Sequence, residues 1–334
     1  MPICSVPNGF CCITSPVSYV FLFRVDADAR SLPAKLTGDS HMAEFMYFPI
    51  HIHYTHEHSR EPQSHSSPFM APSPRKKRSL GQHFLRDANM IRKIVDAIPA
   101  KPDESVVEIG PGDGALTKLL LDRYPNLTVI EIDPVMIAHL REHYPGLSIL
   151  HSDFLKLPME QLASEKPVHM IGNLPYYVTS QILFRTLEYR HLFETATVMM
   201  QKEVARRIVS EPATKEYGIL SVQLQLMASV SYLFDVPPGV FRPPPKVDSA
   251  VIQLRFDRPA LQCRDESLKM VVRTAFNKRR KKLSNALKDI SSARDADFFD
   301  DLRAQGFDLS QRAGDWSPAM YEKLAGSLEQ LGIL

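Results

Sequence analysis

The sequence has little cysteine. Four residues in 334 (Cys4, Cys11, Cys12 and Cys263) leave one thiol beyond the N-terminal segment, and no pair is spaced CxxC. This excludes a disulfide framework and a cysteine zinc site, and a reducing, cytoplasmic setting is expected. Long apolar runs are also lacking, since Phe10–Phe23 is broken by Thr14, Ser15, Pro16 and Ser18. That stretch is too short to span a bilayer and has no basic residues ahead of it, so neither a membrane span nor a secretory signal is expected. Nor is charge of one sign in large excess, the formal net being +2. Residues 1–73 hold four basic and six acidic residues, which leaves 36 of the 40 basic and 32 of the 38 acidic ones beyond them, a balance of +4. That is a mild bias towards a polyanionic partner.

Residues 1–73 also lack hydrophobic period. Proline, serine and histidine are scattered through them, and His51–His58 (HIHYTHEH) is dense in histidine. With no periodic segment to orient ligands, the tract reads as part of a disordered extension rather than as a metal site, and no metal is expected. Met70 offers an alternative translation start that would remove residues 1–69 from the native protein.

A regular alternation begins at Ser105. The pattern predicts strands at Ser105–Ile109, Leu127–Ile132, Leu147–His151, Val168–Ile171 and Thr195–Met200, with helices at Ala115–Tyr124 and Pro134–Tyr144 between the first three. Strands separated by helices imply right-handed crossovers and a parallel sheet. Val230–Val236 and Ala250–Phe256 lack a long intervening helix and are placed as an antiparallel edge pair. After Asp257 only helical spacing remains, at Glu266–Phe276, Arg280–Leu287, Asp297–Gln305 and from Ser317-Pro318 to about Leu331. The expected architecture is a doubly wound α/β, Rossmann-like domain over 74–257 followed by a small all-helical domain over 262–334.

The chemistry-bearing residues cluster at the carboxyl ends of these strands. Gly110, Gly112 and Gly114 follow the first strand, Glu131 ends the second, and Asp153 follows the third. Glycines let the backbone turn sharply against a ligand, and a carboxylate after the second strand can accept both hydroxyls of a ribose. The loop also fits the loose dinucleotide fingerprint, so a nicotinamide enzyme is a rival. Pro111 removes a donor that a pyrophosphate would use, and Asp153 is placed for an adenine amino group, which favours an adenosyl ligand. Asn173-Leu174-Pro175-Tyr176 follows the fourth strand. An adenine amino nitrogen is a poor nucleophile, and a site helps by accepting its hydrogens. Asn173 offers one acceptor, a carbonyl near Leu174–Pro175 another, and Tyr176 a ring on which the base stacks.

With these residues in view, Arg78–Leu331, about three-quarters of the chain, resembles the KsgA-type small-subunit (16S) rRNA adenine dimethyltransferases. The matching segments run in order: Gly81–Leu85, Glu108–Gly112, Glu131–Asp133, Asn173–Tyr176, Gln201–Ala205, Tyr217-Gly218 with Leu220-Ser221, Phe241–Ser249 and Ala275–Lys281. The resemblance implies that His83, Leu85, Gly110, Glu131, Asp153 and Asn173 contact S-adenosylmethionine, the methyl donor. It also implies that Phe241 faces Tyr176 across the target base. The implied reaction gives N6,N6-dimethyladenosine at two adjacent adenosines of a small-subunit rRNA loop, late in subunit assembly. His83 stands where many relatives have Asn, Tyr177 where Asn or His is common, and Arg312–Ser317 keeps the family pattern only in part.

Basic clusters at Arg75–Arg78, Arg206-Arg207 and Lys278–Lys282 flank the cofactor domain. Arg206, Arg207, Lys278, Arg279, Arg280 and Lys281 are expected to hold phosphates while the pocket selects an unstacked base. The expected partner is small-subunit rRNA in an immature subunit, and the expected state a monomer without membrane contact. Two alternatives stay open: the large-subunit methyltransferase of the macrolide-resistance type, and an RNA-binding assembly factor with little turnover.

Overall fold

The computed structural model describes residues 83–165, 168–290 and 297–334, together with three short strands near the N terminus. Those strands, β1 (Cys4–Val6), β2 (Phe10–Thr14) and β3 (Val20–Arg24), form an antiparallel sheet within a separate unit, Met1–Ala71. They fall within the extension over 1–73 expected to be disordered, and the stretches FCCIT and VFLFR are rich in strand-forming residues. His51–His58, Met70 and Arg75–Arg78 lie outside the described residues.

In the second unit, β4 (Phe84–Leu85) and α1 (Ala88–Asp96) lead into β5 (Ser105–Ile109), α2 (Thr117–Arg123), β6 (Leu127–Glu131), α3 (Pro134–His143) and β7 (Ser148–His151). Then come β8 (Val168–Asn173), α4 (Thr179–Glu188), β9 (Phe193–Gln201), α5 (Lys202–Val209), α6 (Ile219–Met227), β10 (Ser229–Val236), β11 (Phe241–Arg242) and β12 (Ser249–Arg255). Seven strands make one sheet in the order β10-β12-β9-β8-β5-β6-β7. From β9 to β7 all pairings are parallel, while β12 runs antiparallel to both β9 and β10. The central strands β8 and β9 are buried almost throughout, as strands covered on both faces must be. The chain steps outward from β5 to β7 and then returns to β8 on the other side of β5. That reversal opens a crevice at the carboxyl ends of β5 and β8, where open α/β sheets bind ligands.

The helical segment comprises α7 (Asp265–Asn277), α8 (Leu283–Ala286), α9 (Asp297–Ala304) and α10 (Pro318–Gln330). The helix expected over 280–287 is reduced to one turn at α8. Lys278 and Asn277 close the preceding helix, and Leu283 and Ser284 donate instead to the carbonyls of Gln311 and Leu309. This segment, expected as a helical domain over 262–334, shares a core with the sheet domain. Leu268, Val271 and Val272 of α7 join Leu183, Ile208 and Leu220 in one apolar cluster, and Pro72–Leu334 forms a single compact unit. A bidentate Arg190–Asp265 pair at 2.6 and 3.1 Å crosses the boundary, as does the hydrogen bond from the Tyr217 hydroxyl to the Trp316 carbonyl at 3.0 Å.

Candidate active site

One cavity of about 270 Å³ occupies the crevice, and it gathers the glycine loop, Glu131, Asp153 and the Asn173–Tyr176 tetrapeptide. Its first half is built by backbone wiring. Gly110 has φ +64°, and a Cβ placed there would meet nothing within 4 Å, so the loop leaves a cradle open towards the cavity. Gly112, at φ +57°, lies under the Phe84 ring, 3.1 Å from where its Cβ would sit. The nearly buried Glu131 carboxylate accepts backbone N–H groups from Gly112 at 3.2 Å, Ile132 at 2.8 Å and Asp133 at 2.9 Å. These donors fix it and leave one lone pair, on Oε2, for a ribose hydroxyl. Asp153 is held by the Leu155 N–H at 3.0 Å. Such a pair of acceptors fits an adenosyl group, with Ile132, 52% exposed, as an apolar rim.

Beneath the loop lies Glu108, which is buried and accepts the Thr117 hydroxyl at 2.6 Å. Burial pushes its carboxyl up to about 8, against the Thr117 hydrogen bond, and the nearby Glu131 charge adds to the rise. It is therefore largely neutral at pH 7.

The second half is held by distant contacts. The Asn173 amide donates from Nδ2 to the His83 carbonyl at 3.2 Å. That orients the side chain with its oxygen as the available acceptor. The Pro175 carbonyl is taken by the Val178 N–H at 3.1 Å and the Thr179 hydroxyl at 3.0 Å, which leaves the Leu174 carbonyl for the second acceptor. Tyr176 lines the cavity, with its hydroxyl 2.6 Å from Ser249 Oγ and its ring centroid 5.9 Å from that of His83. The His83 ring pairs in turn with the Pro243 carbonyl at 2.9 Å. Tyr177 stands exposed at the cavity mouth.

A two-stranded ribbon straps the halves together. β4 pairs with β11, setting Leu85 against Phe241 and Phe84 against Arg242. Arg86 adds an ion pair with Asp113 of the glycine loop at 2.5 Å. Sequence reasoning identified His83 and Leu85 on this strap but missed Phe84, Arg86 and Asp113. Arg86 and Asp113 are 27 positions apart, and no local pattern pairs them. The resemblance sets Phe241 across the target base from Tyr176. Phe241 is fully buried, because its pairing with Leu85 turns it into the apolar cluster behind the strap, and it does not line the cavity. The ring beside Tyr176 is His83.

The basic residues divide by how they are engaged. Lys278 pairs with Asp289 at 2.7 Å, Arg207 with Glu203 at 2.9 Å, and Arg279 donates to the carbonyls of Thr214 and Lys215. Arg206 is exposed on α5. Arg280 and Lys281, with Lys282 and Arg312, surround a separate cavity of about 530 Å³. The Lys282–Arg312 backbone bridge brings Arg312 into that group, a neighbour that spacing did not reveal.

A mixed seven-stranded sheet with a glycine loop, two acids after successive strands and an Asn-Leu-Pro-Tyr turn defines the class of Rossmann-like methyltransferases. Within that class, the sequence model of the ribosomal RNA adenine dimethylase family matches residues 74–318, and the chain belongs to that family. It is 50% identical over 213 residues to the ribosomal RNA small subunit methyltransferase A of Chlorobium limicola, spanning 64% of this chain and 81% of the relative. The protein of the same name from Prosthecochloris aestuarii is 42% identical over 255 residues, 76% of this chain and 95% of the relative. The crystal structure of a dimethyladenosine transferase from Plasmodium falciparum shares the fold, with TM-score 0.65 at 24% identity over 75% of this chain and 98% of that one. The 23S rRNA methyltransferase ErmE aligns with TM-score 0.55 at 29% identity over 74% of this chain and all of its own, 100%. Among the described residues, no helix is long and apolar enough to cross a membrane.

Proposed function

We propose that this protein transfers methyl groups from S-adenosylmethionine to N6 of two adjacent adenosines in a small-subunit rRNA loop, acting as a monomer on an immature subunit. The observation that carries the reading is Asn173. Its amide nitrogen is committed to the His83 carbonyl and the residue lines the cavity, which leaves its oxygen as the available hydrogen-bond acceptor. The donor supplies an electrophilic methyl on a sulfonium: N6 takes the methyl carbon, the C–S electron pair stays on sulfur, and the N6 proton leaves to water.

The residues of the chain do the rest. Glu131 and Asp153 hold the ribose and adenine of the donor, and the Gly110 turn admits it. Asn173 and the Leu174 carbonyl accept the amino hydrogens of the target and draw its lone pair out of conjugation, while Tyr176 supports the base, a contact worth about 1–3 kcal/mol. No side chain with a tuned pKa is required at N6, because the proton is lost after the methyl arrives. Arg280, Lys281, Lys282 and Arg312 supply a phosphate-binding rim.

The relatives named small subunit methyltransferase A support the small-subunit target over the large-subunit one. The test is transfer of labelled methyl from S-adenosylmethionine to undermethylated small subunits and, separately, to large subunits. Label in small-subunit adenosines is expected. Label confined to the large subunit would overturn the target, and donor binding without transfer to either would favour a binding factor.

A further inference from the structure

The ring of Tyr176 lines the site, but its hydroxyl is directed away into the protein. It meets Ser249 Oγ at 2.6 Å, and that serine is fully buried as the first residue of β12. The two residues lie 73 positions apart and come from unlike surroundings. Ser249 is fixed by the sheet, in register opposite Gln201 of β9 on one side and Val236 of β10 on the other. Tyr176 sits in the turn between β8 and α4. The turn alone leaves the ring free to rock about its Cα–Cβ and Cβ–Cγ bonds. Stacking is sequence-tolerant and resists such rocking weakly.

We propose that Ser249 is a positioning residue for the acceptor base: its sheet-anchored hydroxyl pins the Tyr176 phenol and thereby sets the tilt of the ring against which the adenine lies. The proposal rests on the reading of this site as an adenine N6 methyltransferase. Burial supplies the direction of the effect. A buried hydroxyl left without a partner is costly, so Ser249 holds the phenol where it finds it. The His83 ring, tilted 32° to that of Tyr176, closes another side.

The consequence falls unequally on the two methyl transfers. Unmodified adenine presents two amino hydrogens, one for Asn173 and one for the Leu174 carbonyl. Monomethyladenine presents one, so its alignment relies more on the ring beneath it. Loosening Tyr176 therefore slows the second transfer more than the first.

The experiment compares wild type, Ser249→Ala, Tyr176→Phe and the double variant in single-turnover methylation of undermethylated small subunits, with mono- and dimethyladenosine separated chromatographically. Donor affinity, read by calorimetry, is expected to stay at the wild-type value in all four, which reports an intact fold. Either single change should slow the second transfer about tenfold, as small misplacements of reacting groups do, and monomethyladenosine should accumulate. The double variant should match the single ones, because both remove the same bond. A wild-type ratio of products in both single variants would overturn the proposal, as would a double variant showing the product of the two effects. Tyr176→Phe decides the matter if Ser249→Ala does not fold. Absence of transfer by the wild type would instead overturn the reading of the site itself.

Discussion

The donor half and the acceptor half of the site share one sheet edge, but they are assembled by different means. In the donor half the contacts are local: Thr117 to Glu108 spans 9 positions, Gly112 to Glu131 spans 19, and Arg86 to Asp113 spans 27. In the acceptor half Tyr176 reaches 73 positions to Ser249, Asn173 reaches 90 to His83, and His83 reaches 160 to Pro243. One supersecondary unit can specify the first set. The second exists only after the sheet has closed, with the loop entropy of long connections already spent. A defect in β12 should thus loosen the acceptor half while the donor half stands.

The largest expected effect tests that independence. Asn173→Ala removes both the acceptor oxygen and the tie to the His83 carbonyl. Its kcat should fall by about 10²–10³, the usual cost of deleting one preorganised hydrogen-bonding group at a reacting atom. Methyl transfer under saturating donor measures it, and retention of wild-type kcat would break the assignment of Asn173 to the reacting end. Next comes the donor half. Gly110→Ala forces a side chain into φ +64°, costing about 1–2 kcal/mol, and points a methyl into the open cradle. Calorimetry should show donor affinity reduced about tenfold or more, with RNA affinity unaltered. Equal losses of both affinities would show that the halves are one cooperative unit.

Legibility in the sequence follows the same line. The glycine loop, Glu131 and Asp153 could be read from strand ends and spacing, because each is placed by the element it terminates. The parallel sheet was legible too, as was the antiparallel pairing of β10 with β12, since missing helices between strands leave few topologies. The strap was not. That Phe241 is buried behind Leu85, and that the His83 ring stands beside that of Tyr176, depends on a pairing of β4 with β11 across nearly half the chain. Ser249 stood in a recognised segment with no role attached, because a serine at a strand start has many uses and only the folded sheet shows its partner. The helical segment was found by period, but the core it shares with the sheet was not, since periodicity shows that an apolar face exists and not what it packs against.

Glu108 sharpens the comparison from beneath the loop. Its carboxyl titrates at about 8 in the folded protein against 4.5 ordinarily, so the folded state holds a proton that the unfolded chain has released. For a pKa raised by folding, the stabilising contribution is complete below 4.5 and is lost as pH rises through 8. The melting temperature should therefore decline between pH 5 and pH 8 by a few degrees more in wild type than in Glu108→Gln, as expected for about 1 kcal/mol or more in a domain of this size. Calorimetric scans of both proteins across that window measure it, and parallel curves would show that Glu108 is charged in the fold.

The smallest expected effect concerns the rim, which belongs to neither half and gauges how far the acceptor side extends. Lys278 and Lys281 are three positions apart and read alike in sequence, but the Lys278 ammonium is 2.7 Å from Asp289 while Lys281 lines the cationic cavity with Arg280, Lys282 and Arg312. Only a cation that displaces counterions from RNA contributes to the salt dependence of binding, at about 0.7–0.9 in the slope of log K against log salt for each charge. Lys281→Gln should lower the slope by that amount, whereas Lys278→Gln should leave it near the wild-type value, because its charge is already balanced within the protein. Fluorescence anisotropy with an rRNA fragment across a salt series resolves the difference. If the two variants lower the slope equally, the Asp289 pair opens on binding, and the rim reaches the carboxyl end of α7 as well as the loop beyond it.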